Sequence, residues 1–158
     1  MSATRDEATL RTGVPADLPA VSEVMAAAFE PRFGEAWTSA QCMGMLSLPG
    51  AWLTLAVCEE RLVGFALSRA IAGDAELLLL AVHPDARGAG VGGMLMQGVI
   101  AEAAARDAEG LHLEVRACNP AIRLYRSAGF EKVGERRAYY RGRDGIMRDA
   151  HSFRRMLR

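Results

Sequence analysis

Cysteine is scarce in this chain and badly placed for its structural uses. The three thiols, Cys42, Cys58 and Cys118, stand far apart, form no CxxC pair and have no histidine at metal-ligand spacing. A disulfide framework and a zinc site are therefore not expected. An excess of charge is lacking too, because 19 Lys and Arg balance 19 Asp and Glu. That balance argues against affinity built on neutralising a nucleic-acid backbone. No apolar run reaches the ~18 residues that suggest a membrane span, and residues Met1 to Gly13 lack the charged-then-apolar order of a secretory signal. The expectations are a cytoplasmic location, no metal, and neither a membrane nor direct nucleic acid as partner.

What is present is ordinary globular material: 158 residues, 51% hydrophobic and 24% charged. This is enough for one domain with a real core and too little for two, so residues 1–158 are read as one domain. Ala8 to Gly13 reads as a short strand and Pro15 to Glu30 as a helix, with Leu18, Val21, Val24, Met25, Ala28 and Phe29 at three- and four-residue steps. "PRFGEAW" breaks that pattern, and Thr38 is placed to cap a second helix running to about Leu48. "AWLTLAVCE" and "RLVGFALSRAI" form an antiparallel hairpin. "AELLLLAV", from Ala75, is apolar after Glu76, as a strand covered on both faces would be. A helix follows from Val91 to about Arg106, then the strand "LHLEV", the short helix "PAIRLYRSAG" and two last strands joined by "RGRDG". The order β α α β β β α β α β β is a mixed sheet carrying helices.

The densest glycine signal, "HPDARGAGVGGML" from His83 to Leu95, sits between strand and helix. Gly88, Gly90 and Gly93 satisfy G-x-G-x-x-G, and Glu114 lies where a dinucleotide site wants an acid for the ribose. Against that reading, "HPDAR" separates strand from glycines, and the N-terminal half lacks repeated βα units. A nucleoside-triphosphate loop would need Gly-Lys-Ser/Thr, which is absent. Small residues from Gly88 to Gly93 do leave backbone N–H groups uncovered at a helix N-terminus, where an anion is favoured. In "LHLEVR", alternation puts Leu111, Leu113 and Val115 on one face and His112 with Glu114 on the other, and a carboxylate on a strand expected to be covered calls for a reason.

These segments resemble the GNAT acetyltransferase superfamily, whose signature Arg/Gln-x-x-Gly-x-Gly/Ala fits Arg87, Gly90 and Gly92. The resemblance runs from about Ala75 to Phe130. It implies an α/β (α+β mixed) fold: a mostly antiparallel sheet of about seven strands, splayed between two central parallel strands, with about four helices. It implies acetyl-coenzyme A as co-substrate, its pyrophosphate on Arg87, Gly88, Ala89, Gly90, Val91, Gly92 and Gly93. Its pantetheine would pair with backbone at Leu80, Ala81 and Val82, and Asn119 would contact it. Glu114 takes the place of the general base. Tyr125, in "RLYRSAGF", takes that of the phenol that returns a proton to the thiolate. The span from Asn119 to Tyr125 is one residue shorter than usual in the family. Cys118 is read as a packing residue, and His112 as a packing or surface residue.

The flanks, "FEPRFGEAWTSAQCMGML" and "GERRAYYRGRDGIMRDAHSFRRML", are similar to the RimI-type enzymes that acetylate the N-terminal alanine of a ribosomal protein. This implies a protein or peptide N-terminus as acceptor, with Trp37, Tyr139 and Tyr140 near it. An α-amine, with pKa near ~8 against ~10.4 for lysine, is also the easier group for one glutamate to deprotonate. A small-molecule amine such as a polyamine or antibiotic, or a coenzyme A-binding regulatory module without turnover, are the alternatives. From Glu135 onward eight arginines face three acids, as on a solvated sheet edge or a surface for a charged partner. The assembly is expected to be a monomer or homodimer.

Overall fold

A computed structural model describes residues 7–158, so the first six positions of the stretch expected to lack a signal lie outside the described residues. Seven strands form one sheet in the order β1-β2-β3-β4-β5-β7-β6. They are β1 Thr9–Thr12, β2 Ala51–Cys58, β3 Arg61–Ile71, β4 Asp74–Val82, β5 Gly110–Arg116, β6 Glu131–Arg141 and β7 Met147–Met156. The α-helices are α1 Leu18–Ala28, α2 Ser39–Leu46, α3 Val91–Ala105 and α4 Ile122–Ser127. No helix among the described residues is long and apolar enough to cross a membrane.

The first helix is shorter than its periodicity suggests, because Pro15–Asp17 forms a separate 3-10 turn and Phe29 is already extended. The second ends at Leu46 rather than about Leu48. Its start is where the sequence puts it: Thr38 accepts from Gln41 N–H at 3.1 Å, while Gln41 accepts from Thr38 N–H at 2.8 Å. That reciprocal cap satisfies two donors that the first turn would leave open.

Every strand pairing is antiparallel except that of β4 with β5, which is parallel and holds for only two pairs, Ala75↔Leu111 and Glu76↔His112. Beyond them the strands part. On its other edge β4 carries a bulge: Leu67 pairs with Leu79 and Ser68 with Leu77, so Leu78 has no partner on β3. Leu78 and Leu79 consequently both face the α1 side, whereas Leu77 packs on the α3 side. The apolar run of β4 is thus not covered on both faces throughout. Leu77, Leu79 and Ala81 are buried, but Leu80 and Val82 are half-buried because they border the opening between the strands.

Apolar clusters fill both faces. On one, Met96, Val99, Ile100 and Ala103 of α3 pack on Leu111, Leu113, Val115 and Phe153. On the other, Val21, Val24 and Met25 of α1 pack on Leu53, Leu55, Phe65 and Leu67. The second face of β5 is not covered like the first: His112 and Glu114 are only half-buried. The covered strand inferred from the crossover is corrected here, since α1 and α2 stop over β2 to β4 and leave this face open.

Candidate active site

The parting of β4 and β5 opens a cleft of about 1120 Å³. Leu80, Ala81 and Val82 line one wall, Asn119 to Ala121 with Leu124 and Tyr125 the other, and Ala26 to Phe29 the rim. At one end stands the glycine loop. Gly88 and Gly90 have φ of 79° and 80°, left-handed values that glycine adopts without a steric penalty. A Cβ at Gly88, Gly90 or Gly93 would meet no heavy atom within 4 Å, whereas one at Gly92 would lie 3.2 Å from Leu124. Gly92 is therefore used for helix packing as well as for the cleft. Gly90 is the N-cap of α3, so the first N–H groups of that helix point out without intrahelical acceptors.

Of the residues expected around the loop, Arg87, Gly88, Gly90, Val91, Gly92 and Gly93 line the cleft. Ala89 does not; it faces a second cavity with Val63 and Met94. Arg87 donates from Nη2 to the Ala28 carbonyl at 3.1 Å, tying the loop to the end of α1. Asn119 and Tyr125 line the same cleft despite their short span. Asn119 Oδ1 accepts the Ala121 N–H at 2.9 Å, which fixes its side chain at the turn into α4.

At the other end lies a group of ionisable side chains. Tyr125 is 7% exposed and packs edge-on against Phe130 with ring centroids 6.1 Å apart. Burial first, then the charge of Glu35, then Tyr140, push its pKa up to about 12. Tyr140 is also pushed up to about 12, by burial and then by Glu114 and Glu35. Glu35, Glu114, Tyr125 and Tyr140 thus share one electrostatic neighbourhood. Glu114 stands beside the cleft rather than in its wall, across from Ser152 on β7 and with Arg136 Nε at 4.0 Å.

The raised phenols have a consequence for stability. Tyrosine ionises near 10 when unfolded, so the stability due to the buried Tyr125 hydroxyl is intact below about pH 10 and is lost as pH rises toward about 12. The loss amounts to roughly 2–3 kcal/mol at the upper limit. Urea midpoints taken between about pH 9 and about pH 12 should fall in wild type and fall less in Tyr125→Phe; parallel curves would show that Tyr125 is not the source.

Trp37 packs against the α1 core, its N–H donating to Met25 Sδ at 3.0 Å, and does not line the cleft. Cys118 is exposed rather than packed. His112 is half-buried, its Nε2 paired with the partly exposed Asp74. Tyr139 is half exposed and sits edge-on to Tyr140, with centroids 5.3 Å apart. Both ride on a bulge of β6 in which Ala138, at φ 50°, donates its N–H to Asp149 Oδ1.

Sequence reasoning missed the group that supports this end. Arg116, 6% exposed, donates from Nε to Glu35 Oε1 at 3.0 Å and lies 3.5 Å over the Phe33 ring. Arg148 also faces Phe33, at 4.7 Å. The available signal was the segment "PRFGEAW" itself, an aromatic and an acid inside a helix break, together with Arg116 sharing the strand face of Glu114.

A family model described as Acetyltransferase (GNAT) family matches residues 18–130. Over 83 residues the chain is 41% identical to the ribosomal protein bS18-alanine N-acetyltransferase of Salmonella typhimurium, a match covering 52% of this chain and 56% of that protein. Over 86 residues it is 40% identical to the protein of that name in Escherichia coli, covering 54% and 58%. The chain thus spans a little over half the length of these curated relatives. A crystal structure of the ribosomal-protein-S18-alanine N-acetyltransferase from Escherichia coli superposes with a TM-score of 0.86 at 28% identity, covering 95% of this chain and 94% of that one.

Proposed function

Because the chain belongs to the GNAT acetyltransferase family, we propose that it transfers the acetyl group of acetyl-coenzyme A to a primary amine, and that this amine is the N-terminal α-amine of a protein of the ribosomal alanine-starting kind. The observation that carries the reading is the cleft itself. It begins at an anion-seeking helix N-terminus, follows the unpaired edge of β4 and ends at a buried, protonated phenol.

The residues present fit such a donor. Gly88, Gly90 and Gly93 face space that no protein atom fills within 4 Å of a Cβ, and the positive end of α3 suits a pyrophosphate there. The backbone of Leu80 to Val82, freed from β5, can pair with an amide-bearing arm. When bound, acetyl-coenzyme A supplies an acyl group already activated as a thioester. Glu114 then takes a proton from the acceptor nitrogen as that nitrogen bonds to the acyl carbon. Tyr125 gives its proton to sulfur as the carbon–sulfur bond breaks, and its high pKa keeps that proton available at neutral pH. Tyr139 and Tyr140, on the β6 bulge, wall the acceptor side. The names of the relatives support the α-amine acceptor.

Acetyl transfer to an alanine-starting ribosomal-protein peptide, run beside spermidine, tests the reading. Turnover of the peptide is expected, together with a rise in melting temperature on adding acetyl-coenzyme A. Transfer to spermidine alone would move the acceptor to a small amine. Stabilisation by NAD and not by acetyl-coenzyme A would overturn the donor.

A further inference from the structure

Glu35 lies in the segment joining α1 to α2 and lines the cleft on which Tyr125 also opens. Its Oε1 is held by Arg116 Nε, while no hydrogen bond to its second oxygen is present among the described residues. Arg116, which lines the cleft as well, is held by its stacking on Phe33, its side chain 8% exposed. Arg148 and Arg136, two cations of this end, are engaged with other acids. Arg148 makes contacts of 3.2 and 2.7 Å to Asp144, and Arg136 lies beside Glu114. Glu35 is therefore a fixed carboxylate, its side chain 21% exposed, with one oxygen at the cleft wall that no protein group among the described residues engages. A half-paired charge in such a place gains from a cation arriving from outside. Tyr125, Tyr140 and Arg148 all respond to its charge, so its field reaches the space where an acceptor would lie.

We propose that Glu35 is an acceptor-recognition residue: its second oxygen takes the cationic amino group of the incoming acceptor, and its charge turns away acceptors that carry a carboxylate beside that amine. This rests on the acetyl-transfer reading above and narrows its acceptor class to cationic amines without an adjacent acid. The role differs from that of Glu114, which takes a proton during bond formation. Glu35 acts before that, by binding the ammonium, which gives up one proton to solvent before its nitrogen can attack; Glu114 takes the second as the bond to the acyl carbon forms.

The test compares wild type with Glu35→Gln, whose amide oxygen can still accept from Arg116. KM for an alanine-starting peptide should rise roughly 10- to 100-fold, the strength of one charge-assisted hydrogen bond, with KM for acetyl-coenzyme A unmoved and kcat falling far less. A peptide with Asp in second place should be a poor acceptor for wild type relative to its Asn counterpart, and Glu35→Gln should lose that discrimination. A structural role would not change selectivity between the two peptides. Equal use of both by wild type would overturn the proposal without any variant, and a fall in kcat with acceptor KM unchanged would also overturn it. If spermidine is acetylated and no peptide is, the α-amine reading fails while Glu35 is judged by the same KM comparison on spermidine. If neither is acetylated, the transfer reading fails, and calorimetric binding of the peptide decides: an equal Kd for wild type and Glu35→Gln overturns the role of Glu35, and weaker binding by the variant supports it.

Discussion

In Glu114→Gln, kcat for peptide acetylation is expected to fall ~10²- to 10⁴-fold, the usual contribution of one positioned base. The substitution keeps the shape of the side chain and removes its charge together with its ability to take a proton. Arg136, the cation 4.0 Å away, is 59% exposed and remains solvated without its partner, so the fold should not suffer. Tyr125→Phe is expected to give a loss of similar size, with the edge-on packing against Phe130 retained. Both residues serve the same step, so the double variant should lose much less than the product of the single losses. Steady-state kinetics with both substrates varied will check this, with acetyl-coenzyme A binding measured separately to show the cleft intact. Undiminished turnover in either variant would remove that residue from the chemistry.

The second large effect is expected at Gly90. Valine there would have to adopt φ near 80°, a left-handed conformation that costs ~1–2 kcal/mol for an L-residue and more for a branched one. The Cβ meets no protein atom within 4 Å, so the added side chain projects into the space left for the donor. Acetyl-coenzyme A affinity should drop ~10- to 100-fold as hydrogen bonds to a charged group are lost, along with some stability. Gly93→Ala separates the two causes. Its φ is not positive and it lies inside α3, where alanine is worth roughly 0.5–1 kcal/mol over glycine. This variant should melt higher yet bind the donor less well, because Gly93 also lines the cleft. Calorimetric titration and thermal melts on the pair give both quantities. Full donor affinity in Gly90→Val would place the phosphates elsewhere.

Local chemistry is what the sequence made legible. The cap at Thr38 depends on residues three apart, the loop at Gly88 to Gly93 on consecutive ones, and the faces of β5 on alternation. All of these follow from backbone geometry within one element. What escaped depends on contacts between distant segments. That β7 inserts between β5 and β6 is a choice of neighbour that no single strand encodes. The bulge at Leu78 looks like any other leucine in an apolar run. Arg116 reads as a surface arginine ending a strand, and only its pairing with Glu35, 81 residues earlier, explains why it is buried. Trp37, which the resemblance of its segment places near the acceptor, is half-buried against the α1 core beside Met25, another contact between segments that the local pattern does not show.

The two-pair junction between β4 and β5 also sets how the protein should look to deuterium. In most sheets the central strand is the last to exchange its amides, since both neighbours protect it. Here β5 leaves after Glu76 and His112, so the amides of Leu77 to Val82 that point away from β3 receive no strand partner. Alternate amides of that stretch would then exchange at the pace of a loop while their neighbours, bonded to β3, stay slow. Donor binding along that edge would erase the alternation and turn the most open seam of the sheet into one of its most protected.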